Sequence, residues 1–203
     1  VNFVVEENEV SGKAVHEDLA DSRWFTGSGI TRKVRLIVEE PVHPAEYGSI
    51  FWTDRIFGEG ERTRAQVTVI QEAFNAGHKD AKLKIRTLLL TDEGQIAADL
   101  AGELTLAPGE TGKLALNGEI ENPRLWSPEE PCLYRMQTRY LVNHGEEYLV
   151  HEEKVGIRTI AFHPDEGFFL NGINRKIKGV CVHHDGGCLG AAVRPEVWQR
   201  RLT

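Results

Sequence analysis

Cysteine is scarce in this chain. Cys132, Cys181 and Cys188 are the only three in 203 residues. The count is odd and no pair has CxxC spacing, which excludes a disulfide framework and a paired-cysteine zinc site. Such scarcity suits a reducing compartment and suits a cysteine-poor periplasmic protein equally, so cytoplasm and periplasm both stay open. No apolar run approaches the roughly 18 residues of a membrane-spanning helix, and no membrane partner is expected. Basic residues are outnumbered, 24 Lys and Arg against 31 Asp and Glu, for a net charge of −7. With no Lys/Arg stripe to offset that charge, nucleic acid is not an expected partner either. Methionine is nearly absent, the single one being Met136. The chain opens in mid-strand on Val1-Asn2-Phe3-Val4-Val5, without a leader pattern. It closes on Pro195-Glu196-Val197-Trp198, which reads as a helix start with proline in the first turn. Such ends are expected of a piece of a longer polypeptide.

What is present is two-residue alternation. The segments 31–38, 64–70 and 81–88 alternate apolar and polar residues as half-buried strands do. Turn chemistry separates such runs at Asn75-Ala76-Gly77, Asp92-Glu93-Gly94, Pro108-Gly109, Asn117-Gly118 and Asn143-His144-Gly145. Between Pro41 and Phe162 about seven strands are expected, without helical periodicity. The spacing is that of an all-β sandwich of immunoglobulin type, expected to fold independently over residues 41–160.

Three further stretches stand out. In Asn122-Pro123-Arg124-Leu125-Trp126-Ser127-Pro128-Glu129-Glu130-Pro131-Cys132-Leu133-Tyr134, the prolines forbid ladder donation and force an extended connection. Trp126 is expected to be largely buried against the sandwich, and the Tyr134 hydroxyl to reach a nearby backbone group as a tyrosine corner does. A glycine-rich loop at 21–30 carries Arg23, Trp24 and Phe25, a composition that suits either saccharide stacking or a domain interface. After Gly156, Asn171-Gly172 predicts a type I′ hairpin. Residues 177–182 then read as a short buried strand, followed by a loop and a helix start.

That loop contains Val182-His183-His184-Asp185. On a strand, alternation would place Cys181, His183 and Asp185 on one side. No further His or Cys cluster completes a tetrahedron, so no metal is expected, and no cofactor. Two readings stay open: side chains that contact a substrate, or side chains that fasten a loop.

The runs RWFTGSGITRKVRLIV, NPRLWSPEEPCLY, KVGIRTIAF, FFLNGINRKIKGV and HHDGGCLGAA, in this order, resemble family 2 of the glycoside hydrolases, the β-galactosidase and β-glucuronidase group. The resemblance covers essentially the whole chain. It implies the C-terminal strands of a sugar-binding jelly roll at 1–40, an immunoglobulin-like sandwich at 41–160, and the start of a catalytic TIM barrel at 161–203. It implies a retaining glycosidase acting on a carbohydrate substrate, a β-galactoside in the closest flavour, with a glucuronide or mannoside as the alternative. His183 and Asp185 match the family's sugar-contacting positions, and Arg23 lies on the jelly-roll loop. The two catalytic glutamates of such a mechanism are expected beyond Thr203, which leaves no catalytic residue in this segment and an inert fragment. A stand-alone carbohydrate-binding or adhesive sandwich is the competing reading. Against it, a free sandwich has no use for the KGVCVHHD motif.

Overall fold

The structure is a computed structural model that describes residues 2–5, 33–182, 186 and 189–202. The chain divides into two compact units, Glu39–Ile177 and Val1–Val38 with Lys178–Thr203. In the first unit, two antiparallel sheets face each other. One has the order β3-β4-β7, built from β3 (Val42–Phe57), β4 (Arg64–Asn75) and β7 (Thr111–Glu121). The other runs β6-β5-β8-β9, from β5 (Ala81–Leu90), β6 (Ile96–Leu106), β8 (Tyr134–Val142) and β9 (Tyr148–Val155). These are the seven strands read from alternation, and the fold is an all-β immunoglobulin-like sandwich. Its fourth strand, β6, pairs with β5, whereas a constant-type domain places that strand on the opposite sheet.

Alternation decides which faces meet. Along β5, Ala81, Leu83 and Ile85 are buried while Lys82 and Lys84 are exposed. Val67 and Val69 on β4, Leu89 on β5, and Met136 and Tyr140 on β8 are likewise sealed in the single core between the sheets. A buried polar bridge crosses that core: Gln71 Nε2 on β4 donates to Thr138 Oγ1 on β8 at 2.9 Å. The buried hydroxyls of Thr87 and Tyr140 find no partner among the described residues.

Asn117-Gly118 is not the turn its dipeptide predicts; it lies inside β7. The reason is packing across the sandwich. A Cβ at Gly118 would sit 2.3 Å from Leu100 Cδ2, and one at Gly112 would sit 2.4 Å from Leu106 Cδ2. Glycine lets β6 leucines press directly on the β7 backbone, so Gly118 is an inter-sheet contact and not a bend.

Beyond β9, β10 (Ile160–His163), β11 (Gly167–Leu170) and β12 (Ile173–Asn174) form a small antiparallel sheet. Asn171 and Gly172 have φ of 52° and 75°, both positive, as the predicted type I′ turn requires. In the second unit, β1 (Asn2–Val5) pairs antiparallel with β2 (Val34–Ile37), and helix α1 (Pro195–Leu202) starts at the expected proline. The predicted buried strand at 177–182 does not form. Among the described residues nothing pairs with it, and Val180 is 80% exposed. A strand needs a ladder partner for its backbone groups, and this stretch has none there.

Candidate functional site

Arg23, His183 and Asp185, the residues expected to contact sugar, lie outside the described residues, as do Trp24, Phe25 and His184. What the structure does describe is the junction of the sandwich with the β10–β12 hairpin, where three of the sequence motifs meet. Trp126 comes from the proline-rich connection, Gly156 and Arg158 from the GIR stretch, and Asn171 from the hairpin turn.

The proline-rich connection cannot pair along its length, so it is held at its few free donors. Trp126 N–H donates to the Ile157 carbonyl at 2.8 Å. The Asn171 side chain accepts from Thr159 N–H at 3.0 Å and donates to the Trp126 carbonyl at 3.1 Å. One amide thus ties the hairpin turn to both neighbouring segments. Trp126 itself is half-buried, less than its setting among prolines suggests. One reason is that its ring is covered by a cation and not by the sandwich core: the Arg158 guanidinium carbon stands 4.8 Å from the ring centroid. Gly156 leaves room for the indole, since a Cβ there would lie 3.0 Å from Trp126 Cβ.

Tyr134 does form a tyrosine corner. Its hydroxyl accepts from Arg124 N–H at 2.9 Å, and burial raises the phenol above its ordinary pKa. Glu129 is held below the usual carboxylate range by its hydrogen bond from Arg175, which pins the segment after the hairpin to the same connection. Cys132, partly buried beside this segment, has its thiol pushed up by desolvation, so it is not an activated nucleophile.

At the opposite end of the sandwich an open cleft of about 620 Å³ is lined by Val42, Asn75, His78, Asp80, Asn143 and Tyr148, among others. Asn75 is already committed there: its Oδ1 accepts from Gly77 N–H and its Nδ2 donates to the Leu106 carbonyl. Among the described residues, no three His, Cys, Asp or Glu side chains converge to hold a metal ion. No helix among them is long and apolar enough to cross a membrane. The junction is a hydrogen-bonded joint, and among the described residues no pair of carboxylates set for acid–base work stands in it.

Comparison with known proteins finds relatives along almost the whole chain. Residues 52–158 match the sequence profile described as "Glycosyl hydrolases family 2". The chain is 30% identical over 198 residues to the β-galactosidase BoGH2A of Bacteroides ovatus, covering 97% of this chain and 23% of that protein. It is 28% identical to a β-glucuronidase of Bacteroides fragilis, covering 94% of this chain and 28% of the relative. Among solved structures, a glycosyl hydrolase family 2 member from Bacteroides cellulosilyticus superposes with a TM-score of 0.74 at 30% identity, over 91% of this chain and 25% of that one. A β-glucuronidase from Bacteroides uniformis gives 0.76 at 26% identity, over 91% and 22%. The chain thus spans about a quarter of the length of these relatives. A profile match that runs through the sandwich from β3 to the GIR stretch, and relatives aligned across almost the whole chain, place it: the chain belongs to family 2 of the glycosyl hydrolases.

Proposed function

We propose that this chain is the sandwich-centred part of a retaining β-glycosidase whose substrate is a terminal β-galactoside. The observation that carries the reading is the alignment of 97% of the chain with a β-galactosidase about four times as long. In this reading residues 1–40 close a sugar-binding jelly roll, residues 41–160 are the linking sandwich, and residues 161–203 open the catalytic barrel. The Trp126–Asn171 joint then holds the barrel's leading hairpin against the sandwich.

The chemistry of a retaining enzyme needs two carboxylates about 5 to 5.5 Å apart, one as nucleophile and one as acid and base. We place both outside this segment. Its own contribution would be substrate contact: His183 and Asp185 at the mouth of the barrel, where such folds keep their active groups, and Arg23 from the jelly-roll loop. A neutral imidazole at 183 would donate to a sugar hydroxyl, and Asp185 would accept from one or orient the imidazole.

The similarity to β-glucuronidases of Bacteroides fragilis and Bacteroides uniformis supports a second reading, a β-glucuronide substrate. One assay separates the two. The full-length polypeptide is offered p-nitrophenyl β-galactoside and p-nitrophenyl β-glucuronide, and the larger kcat/KM names the sugar. In the same protein His183→Ala should lower kcat/KM by the equivalent of about 2 to 4 kcal/mol, and His184→Ala by much less. Equal small losses would remove His183 from the substrate site. The 203-residue chain alone should turn over neither substrate.

A further inference from the structure

The outer face of the β3-β4-β7 sheet carries a constellation that this reaction does not use. Three residues form one cross-strand row: Trp52 on β3 pairs with Thr68 on β4, and Thr68 with Asn117 on β7. The next row is apolar, Ile50, Ile70 and Ala115. A bulge interrupts β3 between Thr53 and Arg55, which leaves Asp54 as an extra residue without a partner on β4. Bulges re-aim side chains, and here the carboxylate lies against the row. Asp54 Oδ1 accepts the indole N–H of Trp52 at 2.8 Å, and Oδ2 accepts the Thr68 hydroxyl at 2.7 Å. The Asn117 amide stands 2.9 Å from the same hydroxyl oxygen. The hydroxyl's one proton lies between two acceptors, Asp54 Oδ2 and Asn117 Oδ1, which leaves the Asn117 NH2 group with donors to spare.

The outcome is an indole pinned at its polar edge and partly open to solvent. Thr68 beneath is 7% exposed, while Trp52 is 41% and Ile50 46% exposed. A ring already fixed loses little entropy when something stacks on it. Around it, Asp54 keeps spare acceptor lone pairs and Asn117 keeps spare amide capacity. A flat apolar surface beside a short row of hydrogen-bonding groups complements a pyranose, which shows C–H bonds on one face and hydroxyls at its rim. The charge selects further. Among the described residues no Lys or Arg ion-pairs with Asp54; in the neighbouring rows Arg64 is paired with Glu119, while Arg55 keeps its charge, held by the neutral Gln66 and over the Phe57 ring. A uronate would meet an unneutralised carboxylate. We propose that this sheet face is a non-catalytic binding site for a neutral saccharide, with Trp52 as the stacking platform and Asp54 and Asn117 as its hydroxyl partners.

The test uses the full 203-residue chain, calorimetry and intrinsic fluorescence, with β-1,4-galactotetraose as the neutral probe and a hyaluronan tetrasaccharide as the anionic one. The neutral probe takes its sugar and its β configuration from the proposed substrate, and the choice of probe rests on that reading. Saturable binding of galactotetraose is expected with Kd on the order of 0.1 to 5 mM, and binding of the anionic probe at least about tenfold weaker. Trp52→Ala should abolish binding without moving the far-UV spectrum, and Asp54→Asn should narrow the gap between the probes. If Trp52→Ala melts the chain, Trp52→Phe, which keeps a ring and loses the pinning N–H, should weaken binding about fivefold. Three results would overturn the proposal: no saturable binding of galactotetraose, binding indifferent to both Trp52 variants, or a wild-type dimer in sedimentation that Trp52→Ala makes monomeric. The readout is binding and not turnover, so it stands or falls apart from the activity of the longer enzyme.

Discussion

The sandwich and the hairpin that follows it are both antiparallel, yet they bury their residues very differently. In the sandwich, Ile85, Leu89 and Met136 have no exposed surface at all. In the hairpin all four residues of β10 are exposed, Phe162 at 71%, and Leu170 is its one buried apolar residue. Both regions complete their ladders. The difference is the second layer: the sandwich has a facing sheet, and among the described residues the hairpin has none. Strand formation and core formation are thus separate achievements, and only the second stabilises strongly.

The comparison breaks most visibly at single apolar truncations. Leu89→Ala should cost about 3 to 4 kcal/mol in urea unfolding of the 203-residue chain, because the cavity it leaves is closed on both sides. Ile173→Ala in the hairpin should cost less than about 0.5 kcal/mol. Equal losses would mean that the hairpin has a core of its own. Between these extremes stands Trp126, at the joint of the two regions. Full burial would set the cost of Trp126→Ala at about 3 to 5 kcal/mol; a half-buried ring under Arg158 lowers the expected value to about 2. A loss near 5 would place the indole in the core.

Two tyrosines of β8 sharpen the comparison within the sandwich itself. The Tyr134 oxygen accepts Arg124 N–H, whereas the Tyr140 hydroxyl is buried without a partner among the described residues. Tyr134→Phe should destabilise by about 1 kcal/mol, and Tyr140→Phe should be neutral or stabilise by up to about 1 kcal/mol. Burial holds the Tyr140 phenol above its ordinary pKa of 10.0. The folded state therefore keeps that proton when the unfolded state releases it, and stability falls as pH climbs past the ordinary value. Tyr140→Phe should flatten this alkaline limb, as monitored by thermal melts from pH 8 to 11.

The smallest effect belongs to a surface pair. Arg86 holds Asp99 in a fork, Nε to Oδ1 at 2.8 Å and the terminal nitrogen to Oδ2 at 2.7 Å. That hydrogen bonding keeps the Asp99 carboxyl below its ordinary range. Its contribution is present above the unfolded pKa near 4 and lost as pH falls through the lowered folded value. Both side chains are solvent-exposed, so Asp99→Asn should remove only about 0.5 kcal/mol at neutral pH. Melting curves that stay parallel down to pH 3 would show no contribution at all.

Much of the architecture was legible in the residues. Seven alternating runs became seven strands, Tyr134 made its corner, Asn171-Gly172 its type I′ turn, and Pro195 opened a helix. The failures share a cause. Asn117-Gly118 has the local chemistry of a turn, but its glycine serves Leu100 across the sandwich, information that lies eighteen residues away. Residues 177–182 have the composition of a strand, and composition cannot supply a ladder partner. The sugar-contacting candidates rested on motif likeness, and they fall outside the described residues. The Trp52–Asp54–Thr68–Asn117 row was not read at all. Its members are scattered over 66 positions, and the bulge that turns Asp54 onto them leaves no mark in the sequence. The one available signal was a tryptophan two residues before an aspartate in an otherwise alternating strand.

The placement of β6 beside β5 also sets an order of events. The turn at 107–110 joins neighbours in sequence that belong to different sheets, so β6 and β7 gain no ladder from being adjacent. The quick closures left to the chain are β3 with β4, β5 with β6, and β8 with β9. Strand β7 must wait for β4, with Phe74 meeting Thr111 and Arg64 meeting Glu121. Strand β8 must likewise find β5 across a long intervening stretch. Those distant closures place the sandwich among slow folders, with refolding on the millisecond-to-second scale. The outer margins of β6 and β7 gain no ladder partner among the described residues even in the finished sandwich, so they stay open as sheet edges throughout.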